Sequence, residues 1–298
     1  MVIAVCSVKG SPGVTTLCVA LAARWPAPGR PVVVECDPSG GSLAARFGLR
    51  TAPGLVSLTA AARQNRDLML WAHTQPLPCG LPVVVAPPGG DYARAALATL
   101  LDARRQSVSV LRSAATHSGS VVIADCGRLD AGSPAVSIAR EADRVLLVVR
   151  PRADELSHLA ASLSMVDLWA MRPGLVLVGP GHPAREVTRE LGVPVLAEIP
   201  YDVLGARALS GLPGRCRGPA RSRLGRVAHA ITRGLREPTA PTSGWGTCSR
   251  VPVLGARWSS HASVAEGPAV PAMPCRTLPG PSLGDTRERN GARLEDRR

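Results

Sequence analysis

Hydrophobic residues occur in short runs along the first two-thirds of the chain. Each run is rich in Val, Ile, Leu or Ala and is bounded by Gly, Pro or charged residues. Such runs are typical of buried β-strands. The pattern predicts strands over residues 2–7, 31–35, 81–86, 120–124, 144–149, 174–178 and 195–199.

Longer Ala- and Leu-rich stretches separate several of these runs. Their apolar spacing predicts helices over residues 15–24, 92–104, 154–169 and 184–191. The strands are continuously apolar rather than alternating, which is typical of a sheet that is covered on both faces. We therefore predict an α/β fold with a mostly parallel sheet, helices on both faces and ligands at the carboxyl ends of the strands.

Composition divides the chain into two parts. Hydrophobic residues make up 45% of the 298 residues but aromatic residues only 3%, so the core must be aliphatic. From residue 237 onward Pro, Gly, Ser, Thr and Arg dominate and no apolar periodicity persists. We predict a globular domain over residues 1–236 and a disordered tail over residues 237–298.

The chain shows no signal for membrane insertion or secretion. No apolar stretch approaches the ~18 residues of a spanning helix, and no basic region precedes the apolar N-terminal run. The eight cysteines form no C-x-x-C pair, which argues against a zinc or iron–sulfur site and favours small buried side chains. We therefore expect a cytoplasmic protein.

The loop after the first predicted strand carries the clearest chemical signal. Lys9 is the single lysine among 35 basic residues, and it opens a glycine-bearing loop that runs into a predicted helix. Backbone N–H groups in such a loop cradle phosphate, a lysine adds charge and a threonine hydroxyl binds Mg²⁺. The candidate phosphate-binding residues are Lys9, Gly10, Ser11, Gly13, Val14, Thr15 and Thr16.

This loop, K-G-S-P-G-V-T-T, resembles the deviant Walker A loop of the MinD/ParA family of P-loop ATPases, K-G-G-x-G-K-T-T. The resemblance implies the P-loop NTPase fold, ATP and Mg²⁺ as ligands, and a nucleotide-dependent homodimer. Lys9 matches the signature lysine, which reaches the ATP of the partner subunit. Val14 stands where the family has its second lysine, and Pro12 has no N–H to donate.

Two further strand ends match motifs of the same family. V-V-V-E-C-D-P at residues 32–38 resembles the second-strand motif, in which Asp37 would orient the attacking water. Considered alone, this segment would be interpreted as a solvated acidic strand end, but Lys9 upstream at the matching separation favours the functional interpretation. V-V-I-A-D at residues 121–125 resembles the Walker B strand. By the resemblance, Thr15, Asp37 and Asp125 form the metal site, and Lys9 and Asp37 are the catalytic residues.

A fourth match concerns the nucleotide base. I-P-Y-D at residues 199–202 resembles the segment that lies near adenine in the family, which makes Pro200 and Asp202 candidate nucleotide contacts. The family usually carries an adenine-reading Asn after the preceding strand. Here that strand runs into Val178-Gly179-Pro180-Gly181, so the resemblance leaves the base preference open.

An arginine block occupies residues 207–236. No acidic residue lies between Asp202 and Glu237, and Leu224, Val227, Ala228, Ile231 and Leu235 fall on one helical face. This helix could present its arginines to DNA or to an anionic membrane, or could simply pack its apolar stripe on the sheet. The eight arginines of the block are Arg207, Arg215, Arg217, Arg221, Arg223, Arg226, Arg233 and Arg236.

Two hypotheses of function follow. The first is a MinD/ParA-like switch that positions or partitions a chromosome or plasmid, septum or pilus-assembly site with an unknown partner protein. Because Val14 replaces the P-loop lysine, we expect at most a slow ATPase, located in the cytoplasm and associated with the nucleoid or a membrane. The second is a scaffold or localisation protein that keeps the fold without ATP turnover. A metabolic kinase or synthetase is a third alternative, but no acceptor-substrate motif is found.

Overall fold

The structure is a computed structural model that describes residues 1–10, 12–64, 69–102, 106–116, 119–169, 173–209 and 219–236. The predicted tail, Ser11, Arg215 and Arg217 lie outside the described residues. The boundary at residue 236 therefore stays a prediction.

The described residues form one eight-stranded sheet. Its strand order is β3-β4-β2-β5-β1-β6-β7-β8. Neighbouring strands are parallel except β3 and β4, which pair antiparallel at one edge. The strands are β1 (Val2–Ser7), β2 (Arg30–Glu35), β3 (Gln75–Pro76), β4 (Pro82–Val84), β5 (Ser120–Arg128), β6 (Arg144–Val149), β7 (Pro173–Val178) and β8 (Val195–Ile199).

Helices cover both faces of this sheet, as the continuous apolar strands predict. In β1 all six residues are buried, and alternate side chains enter two separate aliphatic clusters. The helices are α1 (Val14–Ala23), α2 (Leu43–Phe47), α3 (Leu55–Arg63), α4 (Gly90–Asp102), α5 (Gln106–Thr116), α6 (Val136–Glu141), α7 (Ala153–Trp169), α8 (Ala184–Leu191), α9 (Val203–Ala208) and α10 (Arg223–Arg236). The clusters assign α3–α8 to one face and α1, α2 and α10 to the other.

The seven predicted strands and four predicted helices are all present, with ends that differ by a few residues. The largest difference is in β5, which continues past residue 124 to Arg128, so that Asp125 lies inside the strand. Helices α2, α3, α5, α6 and α9 and the two-residue strand β3 were not predicted. Helices α2, α6 and α9 have only five or six residues, so their positions depend on packing against the sheet. Helices α3 and α5 are as long as the predicted α8 and α1 and were missed.

The apolar stripe of the arginine block lies on helix α10 and packs on the sheet. Leu224, Ala228, Ile231 and Leu235 are buried in the cluster shared with α1, and Val227 is half-buried against it. The packing interpretation is therefore confirmed for this stripe. The arginines of α10 lie on the opposite, exposed side of the helix.

Burial also accounts for most of the described cysteines. Cys6, Cys18, Cys36 and Cys126 are buried free thiols, and Cys79 is exposed. Burial raises the pKa of the Cys6 thiol to about 12, as expected of an inert buried group. Among the described residues, no group of three or more His, Cys, Asp or Glu side chains is arranged to hold a metal ion. No described helix has both the length and the apolar character to cross a membrane.

Candidate nucleotide-binding site

The loop between β1 and α1 is built around two glycines with positive φ. Gly10 has φ 70° and Gly13 has φ 101°, a region that glycine adopts without the steric cost of a side chain. Gly13 caps α1 without a side-chain hydrogen bond, and the first turn of α1 has no acidic residue. The first N–H groups of this ten-residue helix are therefore available to an anion at the loop.

Val14 is the first residue of α1, and its side chain belongs to the core. It is 6% exposed and packs in the same aliphatic cluster as Ile3 and Leu17. Val14 can therefore contribute a backbone N–H to the loop but no charge. The cation that the second family lysine would supply is missing at this position.

Lys9 lies at the exposed mouth of the loop. Its Nζ is 3.5 Å from Oδ2 of Asp154, and the two side chains are 41% and 58% exposed. Arg152 Nε is 3.7 Å from the other oxygen of the same carboxylate. Exposed ion pairs of this kind hold side chains weakly. Lys9 can therefore leave Asp154 for a phosphate at little cost.

Asp125 is a carboxylate buried at the base of the loop. It is 1% exposed, and the strand register places it beside Val5 of β1 and Glu35 of β2. Burial raises the pKa of Asp125 to about 7. The nearby Thr15 side chain lowers this pKa, whereas the charges of Glu35 and Asp37 raise it further. Burial of this kind disfavours the charged form of the carboxyl group, because a carboxylate is better solvated by water than by the protein interior.

The surroundings of Asp125 fit a divalent cation. Oδ1 accepts a hydrogen bond from the N–H of Gly127 at 3.2 Å, whereas Oδ2 is buried and has no partner of hydrogen-bonding geometry among the described residues. The Thr15 side chain contacts the same carboxylate from the start of α1. Carboxylate and hydroxyl oxygens are the ligands that Mg²⁺ prefers. The orphaned oxygen and Thr15 could therefore hold Mg²⁺ here.

Asp37 joins this group from the turn after β2. Its Oδ1 accepts a hydrogen bond from the N–H of Ser39 at 2.8 Å. The carboxylate lies directly against Gly127, where an added Cβ would overlap it. Burial raises the pKa of Asp37, although hydrogen bonds from Ser39 oppose this effect. The structure thus brings Thr15, Asp37 and Asp125 together where β2 ends beside Asp125 of β5.

Glu35 has a positioning role that the sequence did not reveal. Its Oε1 accepts from the N–H groups of Ser42 and Leu43 at 2.7 and 2.8 Å, and its Oε2 from Ala86 at 3.0 Å. This buried carboxylate therefore closes the turn that carries Asp37. A glutamate followed by a glycine-rich turn was the available signal, but the matching N–H donors could not be identified from sequence.

The predicted base-binding segment follows β8, which is the second strand beyond β6 in the sheet. Asp202 caps α9 through Gly205, with Oδ1 2.8 Å from its N–H, and Oδ2 accepts from Leu224 at 2.9 Å. Tyr201 is 58% exposed, and its ring lies over Gly179. Pro200 follows β8, about 14 Å from β1 at the usual strand spacing. Pro200 and Asp202 are therefore separate from the loop, and the Asp202 carboxylate is engaged by backbone.

Comparisons with known proteins establish the fold. No protein-family model matches the chain, and no curated protein sequence is detectably similar to it. Among solved structures, a ParA family ATPase from Chlorobium tepidum TLS superposes with a TM-score of 0.61 at 15% identity, over 78% of this chain and 98% of that one. MinD from Pyrococcus horikoshii OT3 in complex with Mg-ADP gives 0.57 at 20% identity, over 79% and 96%.

A third similar structure is the ATP complex of Cyanothece McdA. Its TM-score is 0.56 at 15% identity, over 80% of this chain and 97% of that one. Each of these three structures is matched along almost its whole length. The chain has the P-loop NTPase fold of these proteins, as its loop at residues 9–16 predicts.

The burial of Asp125 predicts a pH-dependent stability. Because its pKa is raised from 3.8 to about 7, the protonated carboxyl favours the folded state below pH 4, and this contribution disappears as the pH rises through 7. A rise of this size corresponds to about 4 kcal/mol at full ionisation. Asp125→Asn should therefore be more stable than the wild type at pH 8 and similar to it at pH 4.

Urea unfolding at pH 4 and pH 8, without metal, measures this difference. Exposed Asp130, in the turn after β5, supplies the control variant Asp130→Asn. Equal pH dependence in wild type and Asp125→Asn would contradict the assignment. Mg²⁺ with nucleotide should then stabilise the wild type and not Asp125→Asn.

Proposed function

We propose that this chain is a nucleotide-dependent switch protein of the MinD/ParA type, which binds Mg-ATP at the loop of residues 9–16. The observation that carries the proposal is the buried Asp125 carboxylate, which interacts with the Thr15 side chain and has one oxygen without a partner of hydrogen-bonding geometry among the described residues. The proposed cellular role is the positioning of a large cargo such as a chromosome, plasmid, septum or pilus-assembly site. An unknown partner protein would identify that cargo.

Different residues of the site would bind the phosphates, the Mg²⁺ ion and a water molecule. Backbone N–H groups of the loop and of the first turn of α1 would hold the phosphates, with Lys9 adding positive charge. Thr15 and Asp125 would hold Mg²⁺, with Asp37 beside them. Bound Mg²⁺ would neutralise phosphate charge and help to orient the nucleotide. Asp37, from its turn closed by Glu35, would orient a water molecule.

Dimerisation is the expected output of binding. Lys9 is exposed at the mouth of the loop, and its present partner Asp154 is itself exposed. A second copy of the chain could therefore offer its nucleotide phosphates to Lys9. Such a contact would form only in the nucleotide-bound dimer, which links ATP binding to assembly.

Nucleotide binding and dimerisation are separable in one experiment. We expect Mg-ATP to bind the full chain and to produce dimers, because the backbone cradle does not depend on Lys9. Lys9→Ala should reduce dimer formation at least tenfold but change the affinity of the monomer for ATP much less. Calorimetry and analytical ultracentrifugation with Mg-ATP and Mg-ADP measure the two quantities.

Asp154→Asn is the matched control for this variant, because it removes the present partner of Lys9 and leaves the lysine in place. It should dimerise at least as well as the wild type. Absence of binding by the wild type at millimolar Mg-ATP would overturn the proposed function.

Slow hydrolysis is the expected consequence of Val14. Phosphoryl transfer depends on positioning and charge neutralisation, so the loss of a cation at this position should reduce turnover more than binding. The same observation favours the second candidate function, a scaffold that binds nucleotide or partners without turnover.

Val14→Lys tests this interpretation, with Val14→Ala as its control. Both variants remove buried packing and should lower stability by about 1–3 kcal/mol, but only the lysine adds a charge. Val14→Lys should therefore raise ATP turnover, measured as released phosphate, while Val14→Ala should not. Equal turnover in the two variants would assign slow hydrolysis to the rest of the loop and favour the scaffold.

The exposed side of α10 offers a surface for a polyanion. Arg223 and Arg226 of α10 and Arg221 just before it are exposed, and the buried stripe anchors the helix to the domain. We propose DNA as the partner, which would place the protein on the nucleoid in the cytoplasm. The helix uses its apolar face for the core, so that face is not available for insertion into a membrane.

Neutralising these three arginines to Gln should weaken binding of random duplex DNA at least tenfold, because phosphate contacts release counterions. Fluorescence anisotropy at two salt concentrations, with and without Mg-ATP, measures the loss and its salt dependence. The exposed residues Arg50, Arg63 and Arg140, changed together to Gln, are the charge-matched control. Binding to anionic vesicles in preference to DNA, or equal effects of both triples, would contradict the assignment.

A further inference from the structure

Charged side chains are concentrated where the phosphate loop begins. Lys9 and Arg152 share the carboxylate of Asp154, with contacts of 3.5 and 3.7 Å. Next to them, Arg150 Nη1 lies 3.4 Å from Oε1 of Glu155. Three basic and two acidic groups therefore surround a loop whose expected second cation is replaced by a buried valine.

Glu155 anchors Arg150 in this group. It is a residue of α7 that is only 5% exposed, and its Oε2 accepts the backbone N–H of Arg150 at 3.0 Å. Its Oε1 pairs with the guanidinium of the same arginine. The Glu155 carboxylate thus holds both the backbone and the side chain of Arg150. This double contact restricts the guanidinium more than a surface ion pair would.

The same carboxylate lies beside the phosphate loop. A Cβ added to Gly10 would be 3.8 Å from Oε1 of Glu155. The oxygen atom that pairs with the guanidinium of Arg150 therefore also lies near Gly10. Arg150 is 35% exposed, so its guanidinium can meet a ligand at the loop.

The strand register explains why Arg150 and Lys9 occupy matching positions after neighbouring strands. Strands β1 and β6 are parallel neighbours, and Cys6 is opposite Leu147. Three residues further along each strand, Lys9 follows the end of β1 and Arg150 follows the end of β6. The two cations therefore follow the carboxyl ends of adjacent strands, which are spaced by about 4.8 Å within a sheet.

We propose that Arg150 supplies the positive charge for the nucleotide phosphates that Val14 does not provide. The inference rests on the proposed function, because it assigns a further residue to the same site. A guanidinium binds phosphate oxygens through two parallel N–H groups and stays charged at any physiological pH. Glu155 keeps this charge beside Lys9 when no phosphate is bound and then orients it toward an arriving phosphate.

The neighbouring arginine provides the matched control. Arg152 is 62% exposed and pairs with Asp154, which is 58% exposed. It carries the same charge two residues away but has no buried carboxylate to hold it at Gly10. If only the total positive charge near the loop mattered, Arg150→Ala and Arg152→Ala would weaken phosphate binding equally.

Calorimetric titration of the full chain with Mg-ATP and with Mg-tripolyphosphate tests the inference. Arg150→Ala should raise the Kd for both ligands roughly tenfold or more, since a charge-assisted contact is lost. Arg150→Lys should retain part of the affinity, and Arg152→Ala should stay within about threefold of the wild type. The response to tripolyphosphate, which has no base or sugar, assigns the loss to the phosphates.

A second pair of variants guards against misfolding, because Arg150→Ala leaves the buried Glu155 without its partner. Glu155→Gln alone should lose part of the affinity for Mg-ATP, because a glutamine oxygen can still accept the N–H of Arg150 but carries no charge. Arg150→Met combined with Glu155→Gln should lose affinity to the same extent as Arg150→Ala. Thermal melting confirms that each variant is folded. Wild-type binding that persists unchanged in the double variant would overturn the role of Arg150 and leave the proposed function intact. Absence of wild-type binding to either ligand would overturn both.

Discussion

The parallel pairing of β2, β5 and β1 is the constraint on which the candidate site depends. The register sets Glu35 of β2 and Val5 of β1 opposite Asp125 of β5. Two buried acids and the phosphate loop that follows β1 therefore meet in the middle of the sheet, toward the carboxyl ends of β1 and β2. Aliphatic side chains on both faces hold this register, because a shift of one residue would exchange the residues packed on the two faces. Packing in the core therefore sets the distances in the site.

This constraint also explains how much the sequence could predict. Fully buried parallel strands have a strong signature, and all seven predicted strands are present in the structure. Helices α2 and α6 and strand β3 lack such a signature, because they are short and packing against the sheet determines them. The loop at residues 9–16 could be placed because it directly follows a well-predicted strand. The ion pair of Lys9 with Asp154 joins segments more than 100 residues apart. The ion pair of Arg150 with Glu155 joins the end of β6 to α7. No sequence spacing reveals either pair.

Motif positions and physical environments differ at three residues. Glu35 stands where the resembled motif has an aspartate, yet both of its carboxylate oxygens accept backbone N–H groups, so it holds a turn. Asp202 stands in the segment expected near the base, and its carboxylate joins α9 to α10. Val14 stands at a lysine position and packs in the core. A motif match identifies a position in the fold, whereas burial and hydrogen bonds determine what the side chain there can do.

The electrostatic balance of the site connects these observations. Glu35, Asp37 and Asp125 place three carboxyl groups at the ends of two adjacent strands, and burial raises the pKa of each. Glu35 is compensated by backbone donors, but Asp125 retains a buried oxygen without a partner among the described residues. On the other side of the loop, Lys9 and Arg150 are held by carboxylates of α7. Negative and positive groups thus face the loop from opposite sides, an arrangement in which a cation bound to Asp125 and an anion bound by the loop would each stabilise the other.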